Sequence, residues 1–178
     1  MNNKILIIYK SSTGFTKKYA ELVSGEINCT LVTYETVTPE IISRYNIIVF
    51  GSRAHAGMID GYKKIKKLIS KNPPARFILF VTGATPASSK DTIEAFWKQN
   101  LSPDEISKIP HFYMPGGLCY EKMSLSDRLM MKTAAFIVKN KKNKTTFDNE
   151  FENAIKSSYD ISSPEYIKPM VLFLKNII

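Results

Sequence analysis

The stretch that most constrains this chain is its opening. Lys4-Ile5-Leu6-Ile7-Ile8-Tyr9 is followed by Ser11-Ser12-Thr13-Gly14-Phe15-Thr16, and an amphipathic helix begins at about Lys17. An apolar run without polar alternation is the pattern of a strand covered on both faces of a parallel sheet. A hydroxyl-rich turn that opens onto a helix start aims several backbone N–H groups and the positive end of a helix dipole at one point. That combination is an anion site, most often for phosphate.

The loop chemistry narrows the anion. No Gly-Lys-[Ser/Thr] follows, so it is not the nucleoside-triphosphate loop. Only Gly14 is present, where the dinucleotide fingerprint needs three glycines. Ser11, Ser12, Thr13 and Thr16 supply neutral hydroxyl donors, which suit a monoester phosphate. Lys17 and Lys18 fall in the first helical turn, where a cation costs about 0.3–1 kcal/mol against the dipole. Either a docked anion offsets that cost or both side chains face solvent.

Further along, Thr30–Tyr34 reads as a second strand, and Thr38-Pro39-Glu40 starts a short helix to about Arg44. Ile47-Ile48-Val49-Phe50 is a third buried strand, ending in a loop from Gly51 to Gly57. A helix over about Gly61–Ser70 is stopped by Asn72-Pro73-Pro74. Phe77–Val81 is the fourth strand, Thr82–Pro86 its loop, and Lys90–Gln99 the next helix. His111–Met114 begins a fifth strand that runs into Pro115-Gly116-Gly117. Ser124 with Asp127 three residues on predicts a capping box, opening a Met-rich helix to about Lys139. Phe147–Ser158 predicts a short helix or an irregular excursion. Ser162-Ser163-Pro164-Glu165 starts the last helix, in which Pro169 predicts a kink.

Strands alternating with helices at this pitch predict an α/β fold: one doubly wound, five-stranded parallel sheet. A helical insert over about 116–160 follows the fifth strand. Residues 1–178 form a single domain, with no repeat or linker. In such sheets ligands bind beyond the carboxyl ends of the strands, where the order reverses. If the strand order is 2-1-3-4-5, the loops after strands one, three and four converge there.

Composition excludes several classes. No run of roughly 18 apolar residues predicts a membrane span, and the N-terminus lacks a signal-peptide pattern. Cys29 and Cys119 make no disulfide framework or metal-ligand spacing. These features predict a cytoplasmic protein with no metal. The formal net charge of +9 favours anionic partners. No nucleic-acid motif accompanies it, so nucleic acid is not expected. An acidic lipid surface or acidic substrate is.

After its buried strand, Ser11-Ser12-Thr13-Gly14-Phe15-Thr16 resembles the flavodoxin phosphate loop, [Ser/Thr]-x-Thr-Gly-x-Thr. The resemblance covers residues 1–120 and implies bound FMN. By position it carries the isoalloxazine-enclosing loops onto Ala54, His55, Ala56 and Gly57, and onto Thr82, Gly83, Ala84 and Thr85. It makes the Gly57 carbonyl the partner of flavin N5. Flavodoxins usually stack an aromatic on each ring face, whereas here the third-strand loop offers only His55 and the fourth none. Tyr113-Met114-Pro115-Gly116-Gly117-Leu118-Cys119-Tyr120, with Asp127-Arg128-Leu129-Met130, is similar to the flavodoxin subgroup containing menaquinone-dependent protoporphyrinogen dehydrogenase. That adds Gly116 and Gly117 to the cofactor residues.

The resemblance implies redox chemistry, either as a quinone-linked dehydrogenase of protoporphyrinogen type or as a non-enzymatic electron carrier. No catalytic residue is identified. Expected partners are a redox protein or an apolar small molecule such as a quinone or tetrapyrrole, with a membrane surface and a second copy of the chain as further contacts. His55 either touches the flavin or faces solvent. Arg53 is read as a surface cation, Cys119 as a packing residue and Asp127-Arg128 as structural. The Met-rich helix lines a ligand groove or covers the sheet edge.

Overall fold

The computed structural model describes residues 4–71, 73–144, 152–153 and 155–178. Its central sheet runs β1 (Ile5–Tyr9), β2 (Thr30–Thr33), β3 (Ile47–His55), β5 (Arg76–Gly83) and β6 (His111–Pro115), in the parallel order β2-β1-β3-β5-β6. Two-residue β4 (Met58–Ile59) pairs antiparallel to the end of β3. The path through the five parallel strands is the order 2-1-3-4-5.

Successive side chains of a strand point to opposite faces, and here both faces are covered. Ile5, Ile7, Val49, Ile78 and Phe80 pack on one side against α1 (Phe15–Glu26) and the C-terminal helix. Leu6, Ile8, Ile48, Phe50, Leu79 and Val81 pack on the other against α2 (Pro39–Ile42), α3 (Tyr62–Ile69) and α4 (Lys90–Asn100). The strands are therefore uniformly apolar rather than alternating. Each fully buried aliphatic side chain contributes roughly 1.5–3 kcal/mol, so this double core holds the site's scaffold rigid.

Several expectations are corrected. The third strand does not stop at Phe50 but continues through His55, because Ser52 and Arg53 still pair with Val81 and Thr82. Helix α5 (Pro103–Lys108) was not foreseen, although Ser102 and Glu105 form a complete capping box there. At the predicted box, Ser124 Oγ accepts from the Asp127 N–H at 3.1 Å, while the Asp127 carboxylate bonds elsewhere. Only half the box exists. It opens α6 (Leu125–Lys139).

Gly117–Leu118 (β7) and Tyr159–Asp160 (β8) form an antiparallel ribbon that closes the insert onto the sheet edge. Pro169 does not kink the last helix. A 3-10 turn over Pro164–Ile167 precedes α7 (Lys168–Ile177), and Pro169 sits in its first turn, where the missing N–H is harmless. Most of the helix or excursion expected over 147–158 lies outside the described residues. Among the described residues, no helix is long and apolar enough to cross a membrane.

Candidate functional site

The turn between β1 and α1 is built to receive something. Gly14 is the N-cap of α1 at φ 99°, no side chain caps the helix, and its first turn holds no acid. The leading amides thus lack the side-chain partner a helix start normally has. Ser11 Oγ is buried with no hydrogen-bond partner among the described residues. Such a group costs about 1–3 kcal/mol until something bonds it. Thr16 is engaged differently: it is buried, and its hydroxyl meets that of Thr82 at 2.8 Å, tying helix to sheet. Ser12 is exposed.

Both lysines of the first turn are exposed, and each has a carboxylate nearby. Lys17 lies 3.6 Å from Glu21. Lys18 donates to Ser162 Oγ at 2.7 Å and lies 3.5 Å from Asp160, so it clasps the end of the insert. Tyr19 reinforces this junction by donating to the Pro115 carbonyl at 2.5 Å and accepting from the Ser163 N–H at 3.1 Å. Burial pushes the Tyr19 phenol up to about 12.

The second wall is the β3–β4 hairpin. His55 pairs with Met58 across a two-residue turn in which Ala56 has φ 50° and Gly57 φ 77°. Both central residues at positive φ is the tight hairpin geometry, and a side chain is uncommon there. Asn100 at the end of α4 holds the turn, donating to the Gly57 carbonyl at 2.8 Å and accepting from the Ile59 N–H at 2.8 Å. The carbonyl that the flavodoxin resemblance assigns to flavin N5 therefore already accepts one hydrogen bond, from Asn100.

A chain of charges backs this hairpin. Lys10 Nζ lies 2.6 Å from Asp60, and Asp60 meets Arg53 Nε at 3.2 Å. Arg53 reaches Asp127 of α6 at 2.8 Å, and Asp127 meets His55 Nε2 at 3.0 Å. Burial is the strongest influence on the Asp127 carboxyl and works to raise its pKa. The hydrogen bonds and charges of Arg53 and His55 together outweigh it and hold the group below the ordinary aspartate range. Asp60 is held low in the same way by Lys10 and Arg53. Arg53 is thus a bridge, not a loose surface cation.

Between these walls lie two cavities, of about 120 and 840 Å³. Ala54, Ala84, Leu118 and Met131 border both, so they form one divided cleft. Thr13, Phe15, His55 and Ala56 line the smaller part, as do Thr82, Gly83, Gly116 and Gly117. Gly57 and Thr85 line the larger. Of the sequence-predicted residues, only Ser11, Ser12, Gly14 and Thr16 touch neither cavity.

Residues that sequence reasoning missed complete the larger part. Tyr159, from the far end of the insert, donates to the Ala84 carbonyl at 2.9 Å. Tyr113 accepts from the Thr85 N–H at 3.1 Å. Burial raises both phenols, keeping them protonated at neutral pH. Phe96 meets Tyr113 edge-on at 6.4 Å between ring centroids. The aromatic character absent from the two loops comes instead from α4, β6 and β8. Nothing in local spacing signalled it. Among the described residues, no cluster of metal-ligating side chains occurs.

A parallel sheet in this order, with a phosphate-type turn after β1 and a cleft at the strand ends, defines a flavodoxin-type domain. The chain belongs to the flavodoxin domain family, which matches residues 6–148. It is 36% identical over 84 residues to an uncharacterised protein of Methanocaldococcus jannaschii, a match covering 45% of this chain and 55% of the relative. The chain thus spans about half the length of that curated relative. Solved structures of similar fold include a WrbA-like flavodoxin from Agrobacterium tumefaciens, at 18% identity and TM-score 0.43, covering 71% of this chain and 88% of that one. Two-electron reduced flavodoxin from Megasphaera elsdenii is 13% identical at TM-score 0.45, covering 86% and 99%. A flavoprotein in complex with FMN from Lactobacillus acidophilus is 19% identical at TM-score 0.43, covering 64% and 92%.

Proposed function

We propose that this protein binds FMN and works as a redox enzyme on a large apolar substrate. The β1–α1 turn carries the reading. Its buried, unbonded Ser11 hydroxyl and uncapped helix amides fit a phosphate monoester. The divided cleft beside it suits the ring, with Ala54–Gly57 on one side and Thr82–Thr85 on the other. When bound, FMN supplies hydride or electron transfer.

The chain's own residues orient and enclose. Asn100 holds the hairpin turn, and Leu118 and Met131 bring apolar insert surface to the cleft and exclude water. Asp127 fixes Arg53 and His55 at its rim. The larger part of the cleft is the substrate site in this reading, because it is mostly apolar and edged by Phe96, Tyr113 and Tyr159. Its size falls in the range typical of small-molecule sites. The specific form we propose is a quinone-linked dehydrogenase of protoporphyrinogen type, as the motifs around Gly116–Tyr120 and Asp127–Met130 imply.

The outer face of α6 fits an anionic lipid surface. Leu125, Leu129 and Phe136 are 84%, 66% and 68% exposed and fall within roughly 40° of one another at ~100° per residue. Lys132 and Lys139 lie along one edge of this stripe, and the helix's single acid, Asp127, faces the cleft. An apolar stripe edged by cations is the pattern of an interfacial helix. A second copy docked there would bring like charges together.

Purified protein should be yellow, or should quench FMN fluorescence on titration; a colourless protein that ignores FMN defeats the proposal. Anaerobic assay with protoporphyrinogen and a menaquinone analogue should give turnover above the flavin-free rate. FMN binding without turnover would leave an electron carrier. Salt-sensitive binding to phosphatidylserine vesicles tests the lipid surface.

A further inference from the structure

We infer that Lys122, from the insert, supplies the positive charge for the cofactor phosphate, so that the insert reads whether the flavin carries a phosphate. The inference rests on the FMN reading and deepens it. The β1–α1 turn and the first turn of α1 hold no cation without a carboxylate nearby. Lys10, Lys17 and Lys18 are each paired with a carboxylate, at Asp60, Glu21 and Asp160.

Lys122 is different. It ends the 3-10 turn Tyr120–Lys122 just before α6, and its Nζ lies 3.9 Å from where a Cβ on Gly14 would stand. It has no ion-pair partner among the described residues, and the first turn of α1 contains no acid. An ammonium without an ion-pair partner among the described residues therefore lies beside the uncapped start of α1, whose first turn holds no carboxylate. Two like potentials at that range repel, weakly at an exposed site, and an anion between them turns both interactions favourable. A phosphate monoester, doubly charged at neutral pH, would satisfy the ammonium, the α1 amides and the Ser11 hydroxyl together.

This arrangement also ties the insert to the cofactor. The insert meets the start of α1 at Gly116 against Phe15, at Lys122 on its way out, and at Asp160 and Ser162 on its return. Bound phosphate would join the outgoing contact to the core, and a flavin without phosphate could not.

The test compares FMN with riboflavin by flavin-fluorescence titration on the wild type, Lys122→Gln and Lys122→Arg. A charge-assisted contact at a partly exposed site is expected to be worth about tenfold in affinity, ~1.4 kcal/mol. Lys122→Gln should weaken FMN by about that factor, leave riboflavin unchanged and flatten the salt dependence. Lys122→Arg should restore most of the loss. Hydrogen exchange supplies a second readout: FMN, but not riboflavin, should slow exchange over residues 119–127 in the wild type.

Unchanged FMN affinity in Lys122→Gln overturns the inference while leaving the FMN reading intact. Equal weakening of both flavins also overturns it, because Lys122 would then act on insert structure rather than phosphate. A wild type that binds neither flavin removes both. Lys122 is exposed, and matching circular dichroism of the variants separates misfolding from lost charge.

Discussion

The sheet and the insert of this protein are held by different physics. Ile5, Leu6, Ile7 and Ile8 of β1 and Phe80 of β5 are essentially inaccessible, packed between helices on both faces. In α6 only Asp127 is buried, and Leu125, Leu129, Phe136 and Ile137 lie open. The insert is attached by clasps: Asp127 to Arg53 and His55, Lys18 to Asp160 and Ser162, and Tyr159 to Ala84. Local stability follows buried apolar contact. The sheet is thus the rigid frame, and the insert is a cover that opens at lower cost.

The largest effect expected from that contrast is in the core. Phe80→Ala should cost about 3–5 kcal/mol, read as a shift of the urea midpoint. An equal loss from Phe136→Ala would erase the distinction between the regions. Asp127→Asn comes next, and its main effect should be local. Exchange over α6 should rise about tenfold or more while the global midpoint moves little, because the clasp rather than the core is cut. A large drop in global stability would mean that the insert unfolds together with the sheet.

Acid provides a graded form of the same experiment. Asp127 and Asp60 have folded-state pKa values below the unfolded 3.8. Their stabilisation is therefore present above about pH 4 and is lost as pH falls through the folded values. Glu105 beneath α3, which accepts from Lys66, Tyr62 and Ser102, is held down to about 2 against the cost of burial. Its contribution fades only between pH 4.5 and 2. Exchange protection of α6 should decline with acid below pH 4, and Asp127→Asn should reduce that decline, leaving the part due to the Lys18–Asp160 clasp, whose carboxyl is also held low. Insensitivity of the wild-type insert to this window would remove the clasp from the account.

Asn100→Ala should cost about 1–2 kcal/mol, since two hairpin hydrogen bonds are lost. It should also loosen Ala56–Gly57 in amide exchange. The smallest effect on stability belongs to Leu129→Ser, expected within about 0.5 kcal/mol. Reduced binding to phosphatidylserine vesicles would be its principal consequence.

The two capping boxes show where local reading stops. Ser102 with Glu105 and Ser124 with Asp127 have the same spacing. Glu105 bonds back to the Ser102 N–H at 2.9 Å, whereas Asp127 turns to Arg53 and His55, 74 and 72 residues away. A carboxylate takes the strongest donors within reach. Spacing along the chain does not say which donors the fold will bring there. The β3 hairpin was misread as a loop for a related reason: its small residues look like a turn until Val81 and Thr82 supply pairing partners.

By itself the sequence determined the strands of a doubly wound parallel sheet and the hydroxyl-rich turn at a helix start. Those features follow from residue periodicity and from backbone groups adjacent in the chain. Tertiary structure alone decided that Tyr113 and Tyr159 line the cleft, that Asp127 anchors the cover and that Lys122 stands over Gly14. Each of these depends on how the chain closes on itself, because a polar or aromatic side chain finds its partner through space rather than along the chain.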